Sequence, residues 1–412
     1  MTSRQFALSD LCEIVSSKRV FAADYKDEGV PFFRGKEVSQ LSRGESVKAE
    51  LFISDAVYED AVSRTGKISP GDVLMTAVGT LGNVYRVKED DQEFYFKDGN
   101  VVWLRNFRAD VDSSFLRHWL ASPLGRKKVL SAAIGSTQAA LTIAGLSQIQ
   151  IQLPSLVKQQ AIAKFADTTD SLIRLYQGTA SNLEQIAQTI FKSWFIDFDP
   201  VHAKARGEQP EGMDAETAEL FPDSFEESEL GLIPSGWSLV KVENLLSRWK
   251  VSSLAKDSRL KNIGRTLVLE QGDSVVAGFT DEEAQVPASA KAPKFIFGDH
   301  TCRMRLSTLP FSVFPNTIVL DSKIADTYWA FLATKDLQKF ESYRRHWMEL
   351  AQKHIVFPSG DLDGKFGNMI APLFTKIDAA LLECLLLVEI RDALLPRLIS
   401  GELEIPDKLL VD

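Results

Sequence analysis

The 412-residue sequence predicts an α/β protein: two globular mixed α/β domains joined by two long helices that pair as an antiparallel coiled coil, with an internal pseudo-two-fold repeat. Three observations predict it. Apolar residues recur at helical spacing from Leu156 to Phe195 and again from Lys365 to Leu403, runs much longer than ordinary globular helices. Each run follows a segment of short apolar stretches broken by Gly, Pro and charged turns, as strands require. Motifs that flank the first segment return, in order, around the second.

The first domain takes residues 1–154. Val30–Phe33, Asp72–Met75, Val84–Val87 and Val101–Leu104 are predicted strands, and Ser113–Ala121 is a predicted helix with Phe115, Leu116, Trp119 and Leu120 on one side. Leu146–Leu153 alternates apolar and polar residues, a strand with one buried face that Pro154 stops. Residues 155–200 hold the first long helix. Ile162, Phe165, Thr169, Leu172, Tyr176, Thr179, Leu183, Ile186 and Ile190 step by threes and fours, the seam of a helix packed on another helix. About 40 residues at about 1.5 Å each reach roughly 55–60 Å, so the helix projects beyond its domain.

Residues 201–236 form a linker. Within it, Gly207–Gly236 carries nine acidic and no basic residues together with three prolines, the composition of a solvated, weakly structured spacer. The second domain takes residues 237–360. Trp237–Leu245 repeats the apolar offsets of Phe6–Ile14, and Ile355–Ser359 echoes Ile151–Ser155. In the second long helix, residues 361–403, Ile377-Asp378 falls in register with Thr169-Asp170 once a few residues are inserted after Pro358. Its seam runs through Ile377, Leu381, Cys384, Val388, Arg391, Leu395 and Leu398, polar only at Arg391, before a tail of residues 404–412.

Composition narrows the class. Three scattered cysteines, none in a Cys-x-x-Cys pair, give neither a disulfide framework nor a zinc site. A metal site from His300, His346, His354 and Cys302 lacks ligand spacing, and no metal is expected. No signal core or spanning apolar run is present, so a cytoplasmic protein away from membranes is expected. The formal net charge is −9, but residues 1–206 hold 25 basic against 24 acidic residues and residues 237–412 hold 22 against 23. The imbalance belongs to the linker, which leaves room for a local basic surface on each domain.

Six stretches in order resemble the specificity subunits of type I restriction-modification enzymes: Pro31–Glu37, Gly71–Thr76 with Gly79–Asn83, Gly135–Gln138, Phe191–Val201, Glu229–Trp237 and Leu394–Leu403. The resemblance implies a non-catalytic subunit with two target recognition domains, each reading one half of a split, asymmetric sequence in double-stranded DNA. It implies that the helices act as a ruler and as the platform for two methyltransferase subunits, which restriction subunits then join. No cofactor is expected on this chain; S-adenosylmethionine is expected on the methyltransferase subunits. The second domain departs from the pattern. Phe297–Thr301 and Tyr343–Trp347 stand where the Gly-Asp-Val-Leu and Gly-Thr-Leu-Gly stretches would repeat.

Candidate DNA contacts in the first domain are Arg34 and Lys36 beside the Phe32-Phe33 pair; Thr80 and Asn83 in a glycine turn that permits close backbone approach; the basic cluster Arg126, Lys127 and Lys128; and Ser136, Thr137 and Gln138. Each has a plainer alternative: Arg34 and Lys36 pairing with Glu37 and neighbouring acids, a hairpin turn, a solvated helix end and a polar loop. In the second domain His300, Arg303, Arg305, Lys323, Arg344, Arg345, His346 and Lys353 concentrate positive and hydrogen-bonding groups, with arginine best suited to guanine. Phe191, Trp194, Phe195 and Phe198, with Leu394, Leu395 and Leu398, are either helix-pair packing or subunit-interface residues. Two rivals stand beside this picture, a coiled-coil adaptor without a DNA role and the specificity module of a self-contained methyltransferase. The second would need a cofactor loop or a catalytic Asn-Pro-Pro-Tyr-like motif, and neither is found.

Overall fold

The computed structural model describes residues 4–135, 139–255, 260–272, 274–342 and 344–406. The chain divides into two units. One comprises Met1–Arg174 with Ile390–Asp412, the other Leu175–Glu389, so each long helix starts in one unit and finishes in the other.

In the first unit a four-stranded antiparallel sheet runs in the order Glu13–Val15, Val101–Arg105, Val73–Thr76, Val84–Arg86. Every residue of Val73–Thr76 is buried, because the sheet packs on both faces. Val73 and Met75 meet Phe115 and Trp119 on one side, while Leu74 joins Trp103 and Tyr85 on the other. That is why the strand reads as a continuous apolar run. The predicted helix Ser113–Ala121 forms with those bounds, capped by Asp112, whose carboxylate accepts from Phe115 N at 2.7 Å. The alternating stretch contributes a shorter strand, Gln150–Leu153, because Leu146 belongs to a helical turn, Ile143–Ser147. This strand pairs antiparallel with Arg4–Ala7, so the chain closes on its own start just before the first long helix, Leu156–Phe195.

The second unit repeats that closure. Ser238–Lys241 pairs antiparallel with His354–Phe357, and the second long helix, Leu362–Ser400, follows. The repeat is real but its register at the start is three residues from the one the apolar offsets indicate. Leu8 N donates to the Ile149 carbonyl and Val242 N to the Lys353 carbonyl, so Leu8 matches Val242 rather than Leu239. Apolar residues three apart, Leu8, Leu11 and Ile14 against Leu239, Val242 and Leu245, look alike after a shift of three. Between closure strands lie a four-stranded sheet (Leu246–Trp249, Thr317–Ser322, Lys294–Gly298, Met304–Ser307) and a three-stranded one (Val276–Thr280, Thr266–Leu269, Phe311–Val313).

Two expectations are corrected. The first helix buries Ile162, Ala166, Thr169, Ile173, Ala187 and Phe191, so from Phe165 on the seam lies one residue later than expected at several steps, and Leu172 and Ile186 face solvent. Alanines in the seam permit close helix approach, which a search for large apolar residues misses. Of the second seam, Ile377 and Cys384 are buried and Leu381, Val388, Arg391, Leu395 and Leu398 are half-buried, with Ala380 and Ile399 buried beside them. The acidic segment is not a loose spacer. After helix Asp199–Ala205 it forms helix Ala215–Glu219 and a hairpin of Phe225–Ser228 with Gly231–Pro234. Phe221 is buried between Trp194 and Trp237, at ring distances of 5.4 and 6.4 Å, so aromatic burial holds the segment while its carboxylates stay in water.

Candidate nucleic-acid interface

In the first unit three of the expected clusters meet on one surface. The Gly79–Gly82 turn is built from two glycines with φ of +76° and +73°. Thr76 Oγ1 donates to the Thr80 carbonyl at 2.5 Å and accepts from Asn83 N at 3.0 Å, which locks the turn's backbone and leaves the Thr80 side chain exposed. Asn83 faces inward, its Nδ2 donating to Ser39 Oγ at 2.9 Å. A Cβ on Gly82 would stand 3.2 Å from Val129, so the turn lies directly against helix Pro123–Ser131, which carries the basic cluster. Gly125 lets that helix sit on the end of the preceding one, since a Cβ there would overlap the Trp119 carbonyl. Arg126 and Lys127 are exposed and have no ion-pair partner among the described residues. Lys128 differs: its Nζ donates to the Gln150 carbonyl at 2.6 Å and lies 5.5 Å from the Trp119 ring.

Gly35, 3.7 Å from the Val78 carbonyl at its Cβ position, places Arg34 and Lys36 beside the same turn. Both are already neutralised. Arg34 pairs with Glu37 and Glu50, each at 2.6 Å, and Lys36 pairs with Glu50 at 2.5 Å. Burial alone would raise the Glu37 carboxyl, but the Arg34 side chain and backbone bonds outweigh it and hold it below the usual range. The internal pairing left open by the sequence is thus what forms. Ser136, Thr137 and Gln138 lie outside the described residues; the hairpin that flanks them, Ala133–Ile134 with Ala140–Leu141, adjoins the turn through a Val78 to Ala140 bridge.

In the second unit the expected groups separate. His300, Arg344 and Arg345 gather around Asp299. His300 Nδ1 donates to the Arg344 carbonyl at 3.1 Å, Arg345 Nε lies 3.7 Å from Asp299, and Asp299 also accepts from Trp347 N at 3.0 Å. Arg344 is held by Glu341 at 2.8 Å and Glu349 at 3.0 Å, whereas Arg345 is 77% exposed. Arg344 and Lys353 line an open hollow of about 540 Å³, and Arg303 a neighbouring one of about 360 Å³. His346 is fully buried between the Ser342 carbonyl and Glu349, so it organises the loop and cannot reach DNA. Arg305 is turned away too, donating to Asp378 of the second long helix at 2.8 Å, and Lys323 stands apart, donating to the Glu243 carbonyl at 2.7 Å. Arg248 was missed by the sequence reading. It is exposed, and only folding brings its guanidinium to 5.2 Å from the Trp347 ring.

Of the two readings left open for the aromatics, internal packing is the one that forms. Phe191, Trp194 and Phe195 are buried with Phe366, Trp329 and Trp237, and Phe198 packs half-buried on Trp237 at 5.7 Å. They are therefore unavailable to a partner, and Leu395 and Leu398 likewise pack on the first-unit core; Leu394 is half-buried. Cys302 has its thiol pushed up to about 11 by burial and by Glu349 and Asp299, so it stays protonated. No cluster of three or more His, Cys, Asp or Glu with metal-binding geometry occurs among the described residues. Nor does any helix among them have the length and apolarity to cross a membrane.

Residues 2–185 match the type I restriction modification DNA specificity domain family. The chain is 28% identical to the MjaIX specificity subunit of Methanocaldococcus jannaschii, over 93% of this chain and 89% of that protein. It is 25% identical to the HindI specificity subunit of Haemophilus influenzae, over 82% and 87% respectively. Its fold matches the crystal structure of the type I S subunit from M. genitalium with a TM-score of 0.58 at 16% identity, covering 96% of this chain and 95% of the other. Residues 2–185 thus carry the type I restriction modification DNA specificity domain, and over most of its length the chain is similar to specificity subunits of type I restriction enzymes.

Proposed function

We propose that each unit reads one half of a bipartite, asymmetric duplex target, and that the long helices set the spacer and dock two methyltransferase subunits, which restriction subunits join. The observation that supports this most directly is the first-unit surface, where a locked glycine turn lies against a helix bearing two exposed cations that have no ion-pair partner among the described residues. Phosphate attraction from such cations positions a duplex, and exposed polar groups such as Thr80 lie close enough to address bases. The second unit carries different chemistry, arginines around Asp299, which suits a different half-sequence. S-adenosylmethionine belongs on the methyltransferase subunits, and the cytoplasm is the expected compartment. Exposed Leu172 and Ile390 in the first unit, and Leu175, Ile186 and Leu386 in the second, are among the apolar helix residues left for those subunits to cover.

Charge reversal of Arg126 and Lys127 together should lower affinity for duplexes and reduce the slope of log affinity against log salt by about 2, near 0.9 per lost phosphate contact. Filter binding across a salt series measures this. A full-length chain with no steep salt dependence would instead favour the adaptor. Substitutions at Thr80 should alter only one half of the recognised sequence, mapped from methylated genomic sites. Simultaneous change of both halves would contradict separate recognition.

A further inference from the structure

We propose that Asp170 and Asp378 are positioning residues that hold each recognition domain at a fixed angle on its long helix, and so set the phase between half-sites. The proposal rests on the ruler role given to the helices above.

Each unit is fastened near the start of its helix in the same way. The aspartate that caps a recognition-domain helix donates its backbone N-H to a side-chain oxygen of the long helix. Asp112 N donates to Gln159 Oε1 at 2.9 Å, and Asp326 N to Asp363 Oδ2 at 2.7 Å. Both acceptors are buried. With Ile162 and Phe366 buried in the respective cores beside these bonds, the start of each helix is fixed, and what remains to be held is tilt of the domain further along it.

A second point closes that freedom several turns further along. In the first unit Asp170 accepts from Arg117 NH1 at 3.1 Å, with Arg391 on its other oxygen at 2.9 Å. Beside it Asp167 accepts from Ser114 Oγ at 2.5 Å and His118 Nε2 at 2.8 Å. In the second unit Asp378 is 1% exposed and accepts from Arg305 NH2 at 2.8 Å, Thr308 N at 2.6 Å and Thr308 Oγ1 at 2.8 Å. The donors differ, helix Ser113–Ala121 in one unit and the end of strand Met304–Ser307 in the other, and with Gln159 matched to Asp363 the acceptor Asp378 lies about one turn further along its helix than Asp170 does. The attachment points lie 11 and 15 residues apart, about 16 and 22 Å along a helix, lever arms long enough to resist tilting. Charge-assisted bonds at such points are strong and directional.

The test compares full-length wild type with Asp378→Asn and Asp170→Asn on duplexes carrying the mapped bipartite target, with the native spacer and with spacers one base pair shorter and longer. Wild type should prefer the native spacer, and each variant should lose that preference by about tenfold, since a hinged head reaches mis-spaced sites. Because Asp378→Asn strands buried donors, Thr308→Val, which removes the hydroxyl donor alone, is scored in parallel. Variants that melt lower but keep the full spacer preference would overturn the proposal and mark the aspartates as stability residues only. A wild type without spacer preference would overturn the ruler role itself, and this inference with it.

Discussion

Phe195→Ala is expected to destabilise the second unit by about 3–5 kcal/mol, a large share of the roughly 5–15 kcal/mol typical of a domain. The ring is 2% exposed and stands at the centre of an aromatic cluster, 5.2 Å from Phe366, 5.8 Å from Trp329 and 5.9 Å from Trp237. Its removal opens a cavity bounded by rigid rings that cannot collapse into it. Urea unfolding followed by tryptophan fluorescence should resolve the effect. Trp194, Trp237, Trp249, Trp329 and Trp347 report on the second unit and Trp103 and Trp119 on the first, so only the former transition should move to lower denaturant. Methyltransferase binding would then fail through loss of the folded unit. An unchanged unfolding midpoint combined with lost partner binding would restore these aromatics to the partner interface.

That contrast shows what the sequence could and could not disclose. Periodicity exposed both long helices and the strands, because burial on a helix or sheet face leaves a pattern in the chain itself, and the strict alternation at Ile149, Ile151 and Leu153 survived as a one-sided strand. Which apolar side is covered by what did not show: the Phe191 to Phe195 stripe looks the same whether it meets Phe366 or a partner protein. The acidic segment misled because charge dominates its composition, while a few apolar residues, Phe221 and Phe225 with Met213 and Leu220, anchor it. Basic residues were found by type but not by availability. Arg126 and Arg305 are alike in sequence, yet one is exposed and the other is spent on Asp378. The matched helix caps Asp112 and Asp326 went unnoticed in the sequence, because only their hydrogen bonds to Gln159 and Asp363 set them apart from other aspartates in turns.

Inserting seven residues in each long helix, after Leu175 and after Leu386, should lengthen the preferred spacer between half-sites by about three base pairs. Phe195 against Phe366 sets the register in the second unit, and counting back along it brings Leu175 level with Leu386. Both side chains are exposed, so neither insertion cuts a packed side chain of a recognition domain. Seven residues make two turns of a supercoiled helix and return the seam to the same face, and they add about 10.5 Å of length. At about 3.4 Å per base pair this corresponds to about three pairs. Three pairs also rotate the far half-site by roughly 100° about the duplex, given 10–10.5 pairs per turn, whereas the supercoil seam barely rotates. The optimum should therefore move while the affinity at that optimum falls, two quantities that a binding panel of graded spacers reads separately. The half-sequences themselves should stay as in wild type, because neither recognition surface is touched. A panel in which the optimum stays at the native spacer would show that something other than helix length sets the distance.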